Sequence, residues 1–224
     1  MLYLNLGLGC VRGTGRVITE TRQVQAFGSV AVDGLVTVHL AEAQTPSVVV
    51  SAEDSVAGMV VTRTESGILR IGLKDTCVVG RIEPVVVRVS APRFSSVSAG
   101  NLARVVSESA IDAYELTLTA SKDARIDATV DAVWLKTLAS DGGVISIGGN
   151  AQRHEAFSTS RGQILAYGLA ANETTATGEN FGIIQAYSIG ALSAKADSTG
   201  ALYYMGPGTV TMQNTEGGTI ERAG

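Results

Sequence analysis

The chain has 224 residues, 45% of them hydrophobic, so it can bury a large core in one or two domains. Its formal net charge of -4 and sequence pI near 5.2 give no basic surface for nucleic acid. No run of roughly 18 or more apolar residues occurs, so nothing in this sequence can span a bilayer as a helix.

Residues 1–13 are expected to be a signal remnant and linker. Residues 1–10 are mostly apolar and end Leu6-Gly7-Leu8-Gly9-Cys10, which resembles the end of a bacterial lipoprotein signal. In such signals the cysteine becomes the lipidated first residue, so Cys10 is a candidate lipid anchor and the only predicted attachment to a membrane. The segment departs from the pattern because it lacks a basic start. A plain apolar strand is the alternative.

Residues 14–93 are predicted to form an N-terminal β region of about six to eight strands. Asp33-Gly34 and Ser66-Gly67 each separate two apolar runs, and such pairs favour hairpins because both turn positions need positive φ. Pro84 and Pro92 bracket a valine-rich strand, where their missing N–H groups cost no ladder hydrogen bonds. We expect these hairpins to cap the open end of the structure that follows.

A pattern that returns about every 20 residues dominates residues 94–206: a turn rich in Ser, Asp, Asn or Gly, then a short apolar strand. A fixed period of this length indicates a solenoid and is too short for two-helix repeats or propeller blades. The sequence therefore predicts an all-β fold, a parallel β-helix whose coils stack at about 4.8 Å. Residues 207–224 are expected to add a C-terminal strand or cap. The predicted coil strands are residues 103–106, 124–127, 144–147, 164–167, 184–187 and 202–205.

Several segments are similar to one bacterial family. These are Gly13-Thr14-Gly15-Arg16-Val17-Ile18-Thr19-Glu20-Thr21-Arg22, Val30-Ala31-Val32-Asp33-Gly34, Gly67-Ile68-Leu69-Arg70-Ile71-Gly72, Val85-Val86-Val87-Arg88-Val89 and Ser98-Ala99-Gly100-Asn101. They resemble the putative auto-transporter adhesin head GIN domain family. The resemblance implies a secreted or envelope-attached β-helical domain that takes part in adhesion. It supplies no catalytic, ligand-binding or cofactor residues to carry over.

The residue types that carry catalysis or bind metals are sparse. His39 and His154 are the only histidines, and both are interpreted as structural or solvent-exposed. Asp123, Asp127 and Asp131 recur every four residues. A four-residue step along a strand spans about 13 Å, which is too far for a paired acid and base about 5 to 9.5 Å apart. We therefore predict no catalytic residue, no metal site and no cofactor.

One surface feature is predicted in the middle coils. If one set of residues points inward, alternation along each strand places its larger apolar and aromatic neighbours outside. The set taken as inward is Ala124, Ile126, Val144, Ser146, Ile164, Ala166, Ile184 and Ala186. Stacking would gather them into one apolar strip: Ile145, Ile147, Leu165, Tyr167, Tyr187, Tyr203 and Met205. Such a patch should contact another copy, the N-terminal β region, or a sugar stacked on the tyrosines. The alternative is that alternation inverts and the larger residues lie inside.

Three functions are compatible with these observations. The favoured one is a non-catalytic binding module, secreted or held in the bacterial cell envelope, whose partner is a surface protein or a glycan. The second is a structural protein that assembles into homo-oligomers through its strand edges. The third is a carbohydrate-active enzyme on a β-helix, which would need a carboxylate or basic cluster that the sequence does not show.

Overall fold

The computed structural model describes residues 11–74, 78–79, 82–214 and 217–223. Over these residues the fold is 70% strand with one short helix, and the strands wind into a β-solenoid of about 7 coils with about 19 residues per coil. The prediction of an all-β parallel β-helix is confirmed. Cys10, the predicted lipidation site, lies outside the described residues.

The strands are short in the N-terminal part of the chain and long in the C-terminal part. The N-terminal elements are β1 Val11–Arg12, β2 Val17–Arg22, β3 Ser29–Asp33, β4 Val36–Glu42, β5 Ser47–Glu53, α1 Asp54–Ala57, β6 Val60–Glu65, β7 Ile68–Leu73, β8 Val78–Val79, β9 Val85–Ala91 and β10 Ser96–Gly100. The C-terminal elements are β11 Arg104–Ala120, β12 Arg125–Ala139, β13 Val144–Ser158, β14 Gln163–Gly178, β15 Ile183–Ala196, β16 Ala201–Met205, β17 Thr209–Asn214 and β18 Thr219–Arg222. Strands β11 to β15 each bend around most of a coil, so they are longer than the four-residue strands predicted.

The C-terminal coils stack on one another in chain order. Strands β11 to β15 pair successively in parallel along most of their length, and β16 and β17 both pair with β15. The register aligns equivalent residues, which produces a buried aliphatic column of Ile126, Ile145, Ile164, Ile184 and Leu202, each at most 1% exposed. Each coil thereby removes apolar surface from water, which stabilises the stack by about 25 cal/mol per Å² buried.

A tight turn closes each of these coils. Its two central residues have left-handed backbone angles, as at Asn180 and Phe181 with φ of 46° and 63°. The N–H of Gly182 then donates to the carbonyl of Glu179 at 2.7 Å, the pattern of a type I′ turn. Successive turns also bond to each other, since the N–H of Arg161 donates to the carbonyl of Asn180 at 3.3 Å. The backbone groups of the turns therefore form a hydrogen-bonded ladder along one edge.

The coils of β11 to β14 each have three faces, because the in-out alternation of side chains breaks twice along each of these strands. Strand β15 has a single break, at residues 189–191. In β11 the breaks fall at residues 107–110 and 114–115. Face A directly follows the turn, face B comes next, and face C precedes the following turn. By register, face A contains residues 104–107, 125–128, 144–147, 163–167, 183–187 and 201–205. Face B contains 111–114, 130–133, 149–152 and 169–172. Face C contains 116–120, 135–139, 154–158, 174–178 and 192–196.

The N-terminal region supplies two further coils in an order that departs from chain order. β3 and β4 form the coil beside β10 and β11, with β3 paired to β10 and β4 paired to β11. β7 and β9 come later in the chain but lie farther out, on β3 and β4. Antiparallel strands close this end: β6 pairs with β7, β5 with β9 and β2 with β5. The region caps the solenoid, as predicted, and also builds part of it.

The two predicted hairpins have different outcomes. Ser66 and Gly67, with φ of 50° and 76°, join the antiparallel strands β6 and β7, so this hairpin is confirmed. The Asp33-Gly34 hairpin is wrong, because β3 pairs with β7 and β10 while β4 pairs with β9 and β11. The N–H of Gly34 donates to the carbonyl of Gly100 at 3.2 Å, which makes this turn a coil corner stacked on the next turn. Both kinds of turn use left-handed angles, so the dipeptide does not distinguish them.

Candidate functional site

The outer side of face A carries an apolar strip on β14, β15 and β16. Five of the seven predicted strip residues lie there and are half-buried: Leu165, Tyr167, Tyr187, Tyr203 and Met205. The register places Gln185 between Leu165 and Tyr203, and Met205 beside Tyr187. Tyr167 follows Ala166, whose partner is Ala186, so Tyr167 and Tyr187 are neighbours. We call these five residues the tyrosine strip.

Ile145 and Ile147, the other two predicted strip residues, point into the core. They are 0% and 4% exposed, and Ile145 stands in the interior column between Ile126 and Ile164. Only 19 residues separate Ile126 from Ile145, whereas the prediction placed the strand by a period of 20. A shift of one residue moves every side chain to the opposite face. The alternation is therefore inverted in this coil, and its outward positions belong to Val144 and Ser146.

The tyrosine strip is uncharged and brings phenol groups together. Burial raises the pKa of Tyr167 above its ordinary value of 10.0, and the nearby Tyr203 hydroxyl raises it further. Gln163 and Gln185 add neutral polar groups to the same face. Earlier coils of face A carry ion pairs instead, such as the one between Arg125 and Asp127 at 2.8 Å. The strip thus offers flat aromatic rings and hydroxyl groups, and among the residues that the structure describes its one charged in-register neighbour is Glu221, beside Tyr203.

The three aspartates singled out by their spacing lie on different parts of the coil. Asp123 is in a turn with φ of 58°, Asp127 is on face A beside Arg125, and Asp131 is on face B. The structure does not bring them together. Asp131 has Asp112 as its in-register neighbour instead. The sequence reasoning missed this pair because 19 residues separate the two aspartates, which meet only through stacking.

The two histidines are structural or exposed, as the sequence indicated. His154 is 2% exposed inside the solenoid, and its Nε2 lies 2.9 Å from Thr137 Oγ1. Burial lowers the pKa of His154 from 6.5 to about 4, so its imidazole is neutral at pH 7. His39 is at the surface, where its Nδ1 lies 3.3 Å from Glu108 Oε1.

Metal-binding and membrane-spanning features can be assessed for the described part of the chain. There, no group of three or more His, Cys, Asp and Glu side chains is placed to hold a metal ion. No helix within the same ranges is long and apolar enough to cross a membrane. Cys10 and Cys77 both fall outside those ranges.

The sequence of this chain matches one family. The family model described as "Putative auto-transporter adhesin, head GIN domain" matches residues 26–208. None of the curated proteins matches the chain in sequence.

Several solved structures have a similar fold. A putative adhesin from Bacteroides fragilis has a TM-score of 0.88 at 16% identity, covering 95% of this chain and 100% of that chain. A putative adhesin from Parabacteroides merdae has a TM-score of 0.66 at 20% identity, covering 96% of this chain and 99% of that chain. A putative lipid binding protein from Parabacteroides distasonis has a TM-score of 0.66 at 15% identity, covering 96% of this chain and 99% of that chain. At these identities the likeness shows the solenoid fold.

Proposed function

The chain belongs to the putative auto-transporter adhesin head GIN domain family, and from this membership we propose that it is a non-catalytic binding module of the bacterial cell surface. It engages a surface protein or a glycan through face A. Family membership and the adhesin names of the structural neighbours support an adhesin-like role.

The tyrosine strip is the observation that carries the proposal. Its residues lie on parallel strands in register, which gives a flat surface that advances about 4.8 Å per coil. A tyrosine ring offers a large contact area while restricting only two torsions, and each hydroxyl can donate and accept a hydrogen bond. An uncharged, contiguous patch of this kind is more typical of an interaction site than of free surface.

The test removes two rings from the strip in one variant, Tyr167→Ser with Tyr187→Ser. Binding is measured on an array of immobilised matrix proteins and glycans. Among the partners selected by the unmodified protein, we expect at least one to bind the variant about tenfold or more weakly. The matched control is Phe157→Ser, which removes a 38% exposed aromatic ring on face C, outside the strip.

Thermal melting separates a loss of binding from a loss of folding. The strip residues are half-buried, so the double variant should melt at a somewhat lower temperature while retaining its strand signal by circular dichroism. A large loss of stability with unchanged binding and unchanged self-association would contradict the proposal. The strip residues would then serve to shield the core from water and not to bind a partner.

Attachment to the envelope through Cys10 is part of the same proposal. The apolar run that ends at Cys10 supports a lipid anchor, and family membership supports a surface location. Mass spectrometry of protein extracted from membranes of the native host should find acylated Cys10. Unmodified Cys10 in soluble protein from the same host would contradict the anchor and leave the binding function in place.

Self-association is the second candidate function, and strand β17 favours it. Thr209–Asn214 contains no charged residue, and Met212 is 47% exposed. Uncharged edge strands pair readily with other strands, which is why many proteins place lysine or proline there. Light scattering over a concentration series distinguishes the candidates. A binding module stays monomeric without its partner, whereas the self-associating protein gains mass as concentration rises.

A further inference from the structure

Face B contains a groove that is separate from the tyrosine strip. Its floor is the backbone at Ala113, Ala132 and Ala151, whose side chains point inward and are 9%, 5% and 4% exposed. The residues on either side of these alanines point outward and form two walls. One wall is Asp112, Asp131 and Asn150; the other is Tyr114, Val133, Gln152 and Asn172. We call this feature the face B groove.

The face B groove runs across the strands, along the solenoid axis. Asp112, Asp131 and Asn150 occupy one register row. Two adjoining cavities, of about 380 Å³ and about 480 Å³, share Asp112, Ala113 and Val133. The groove reaches from Glu42 on β4 to Ile189 on β15. This path crosses about five strand spacings, or about 24 Å, which accommodates several units of a linear polymer.

The walls carry polar groups that the protein leaves largely uncommitted. Within the described ranges, Asp112 and Asp131 have no cationic partner. Their carboxylates therefore present acceptor oxygens to the groove. On the opposite wall Asn172 Nδ2 donates to Gln152 Oε1 at 2.6 Å. This bond leaves the Gln152 amino group and the Asn172 oxygen for another molecule.

We propose that the face B groove binds a linear, uncharged oligosaccharide. Sugar hydroxyls donate to carboxylates and both donate to and accept from amides, so one polyhydroxylated chain can serve both walls. The apolar ring faces of the sugars contact Tyr114, Val133 and Ile189, which are 75%, 41% and 45% exposed. Successive polar groups along a wall lie about 4.8 Å apart, which is close to the length of one pyranose unit.

Other polymers match the groove less well. An extended peptide bound to a sheet gains affinity from backbone hydrogen bonds at a free edge. The groove floor lies in the middle of a parallel ladder, where both neighbouring strands are already paired. An anionic glycan would be repelled by Glu42, Asp112 and Asp131, which outnumber Arg93, the one cation among the described residues that line the groove. A polycation would leave the amide N–H groups of the walls without acceptors.

Titration calorimetry on the unmodified protein tests the inference with defined probes. The neutral probes are cellohexaose, N-acetylchitohexaose and mannohexaose, each with its disaccharide. The contrasting probes are a hyaluronan hexasaccharide, which is anionic, and hexalysine, which is cationic. At least one neutral hexasaccharide should bind, about tenfold or more tightly than its disaccharide, because the longer chain contacts several coils.

Two single variants act on opposite walls. Asp131→Ala and Gln152→Ala should each weaken binding of that hexasaccharide by about tenfold, since each removes a hydrogen-bonding partner. Asp131 and Gln152 are both exposed, so neither substitution should disturb the core. If one variant fails to fold, the sugar affinity of the other decides the outcome. Tyr167→Ser with Tyr187→Ser should bind the sugar normally, because the groove and the tyrosine strip share no residue. Failure at one face is therefore distinguishable from failure at the other.

Three results would overturn the inference. The first is that no neutral hexasaccharide binds, or that only hyaluronan or hexalysine does. The second is that both groove variants keep the affinity of the unmodified protein. The third is the appearance of shortened sugars by mass spectrometry after incubation, which would replace binding by cleavage at the Asp112 and Asp131 pair.

Discussion

The two halves of this solenoid reach the same coil geometry from different kinds of sequence. In the C-terminal half, each long strand from β11 to β15 is one continuous piece of a coil that pairs with the piece before it. In the N-terminal half, coils are assembled from separate strands, and β3 lies between β7 and β10 although it precedes both in the chain. One half therefore depends on a local repeat and the other on specific pairings between distant segments.

The halves also differ in the polar groups that they bury. Near the N-terminal end, Glu53 is 2% exposed, and its carboxylate accepts backbone N–H bonds from Glu83 at 2.7 Å and Gly15 at 2.9 Å. These bonds and one from Thr14 lower the pKa of Glu53. Inside the C-terminal coils, the buried imidazole of His154 is neutral. The cap is thus held by a charged carboxylate, whereas the repeated coils require their interior to stay uncharged.

The largest difference between the halves should appear when alanine replaces glycine. Gly149 has a φ of 104°, and a β-carbon there would overlap the Val130 carbonyl oxygen of the adjacent coil. Gly149→Ala should therefore lower the free energy of unfolding by more than about 4 kcal/mol. Urea unfolding followed by circular dichroism measures the loss.

Gly67→Ala in the N-terminal hairpin is the matched control. Gly67 has a φ of 76°, but nothing lies within 4 Å of an added β-carbon. The expected loss is about 1 to 2 kcal/mol, which reflects backbone strain alone. Equal losses at Gly149 and Gly67 would contradict the close stacking of the C-terminal coils.

Truncation of neighbouring side chains tests which face is inside in the coil where the sequence prediction was wrong. Ile145→Ala should lower the free energy of unfolding by about 3 to 4 kcal/mol, because Ile145 is fully buried in the interior column. Val144→Ala, one residue away and half-buried on the outer side, should cost less than about 1 kcal/mol. Urea midpoints of the two variants give the comparison. A larger loss at Val144 than at Ile145 would indicate that Val144 points inward and Ile145 outward, as the sequence predicted.

Acidification should weaken the C-terminal coils before it weakens the cap. The pKa of His154 is about 4 when folded and 6.5 ordinarily, so the unfolded chain takes up a proton that the folded chain does not. This contribution is complete above pH 6.5 and falls as pH decreases toward 4, by at most about 3 kcal/mol. Glu53, whose pKa is lowered from 4.5, contributes above that value and loses its contribution only at lower pH.

Urea midpoints at about pH 7.5 and about pH 4.5 measure the effect of His154. His154→Leu is the informative variant, because Leu135 and Leu192 occupy the same interior column. The variant should shift its midpoint much less than the unmodified protein between the two pH values. An unmodified protein with the same midpoint at both would contradict the burial of a neutral imidazole.

The smallest effect concerns the turns that both halves use. Leu102 has a φ of 67°, which is strained for a residue with a side chain, and its side chain is 56% exposed. Leu102→Gly should raise the free energy of unfolding by up to about 1 kcal/mol. Gly34→Leu, in the turn of the adjacent N-terminal coil, should lower it by a similar amount. Thermal melting of both variants is the measurement, and a lower melting temperature for Leu102→Gly would contradict the assigned turn.

The repeat made the C-terminal half predictable from sequence. Consecutive coils there pair with each other, so the same pattern of turn and strand residues recurs along the chain. Ile164 and Ile184 were correctly placed inside on that basis. Ile145 was misplaced because coil lengths vary by a residue or two, and alternation along a strand tolerates no such error. A period locates a coil but does not fix its register.

Contacts between distant segments leave little trace in the sequence. The partners of β3 are β7 and β10, and no local pattern in Ser29–Asp33 indicates them. The face B groove was missed for a related reason, since Asp112, Asp131 and Asn150 become neighbours only when three coils stack. The tyrosine strip could be predicted in part because aromatic residues recur on successive coils at positions of equal parity.

Engineered disulfides test most directly whether the C-terminal coils stack in register. Val144 and Gln163 are outward partners on β13 and β14, and the strand spacing of about 4.8 Å lies within the range that a disulfide spans. In a protein with Cys10 and Cys77 replaced by serine, Val144→Cys with Gln163→Cys should oxidise to an intramolecular bridge, measured by mass spectrometry without reductant. Val144→Cys with Leu165→Cys, whose Cα atoms would be about 8 Å apart, should not. Failure of the first pair to form a bridge, or equal bridging in both pairs, would contradict the stacked solenoid.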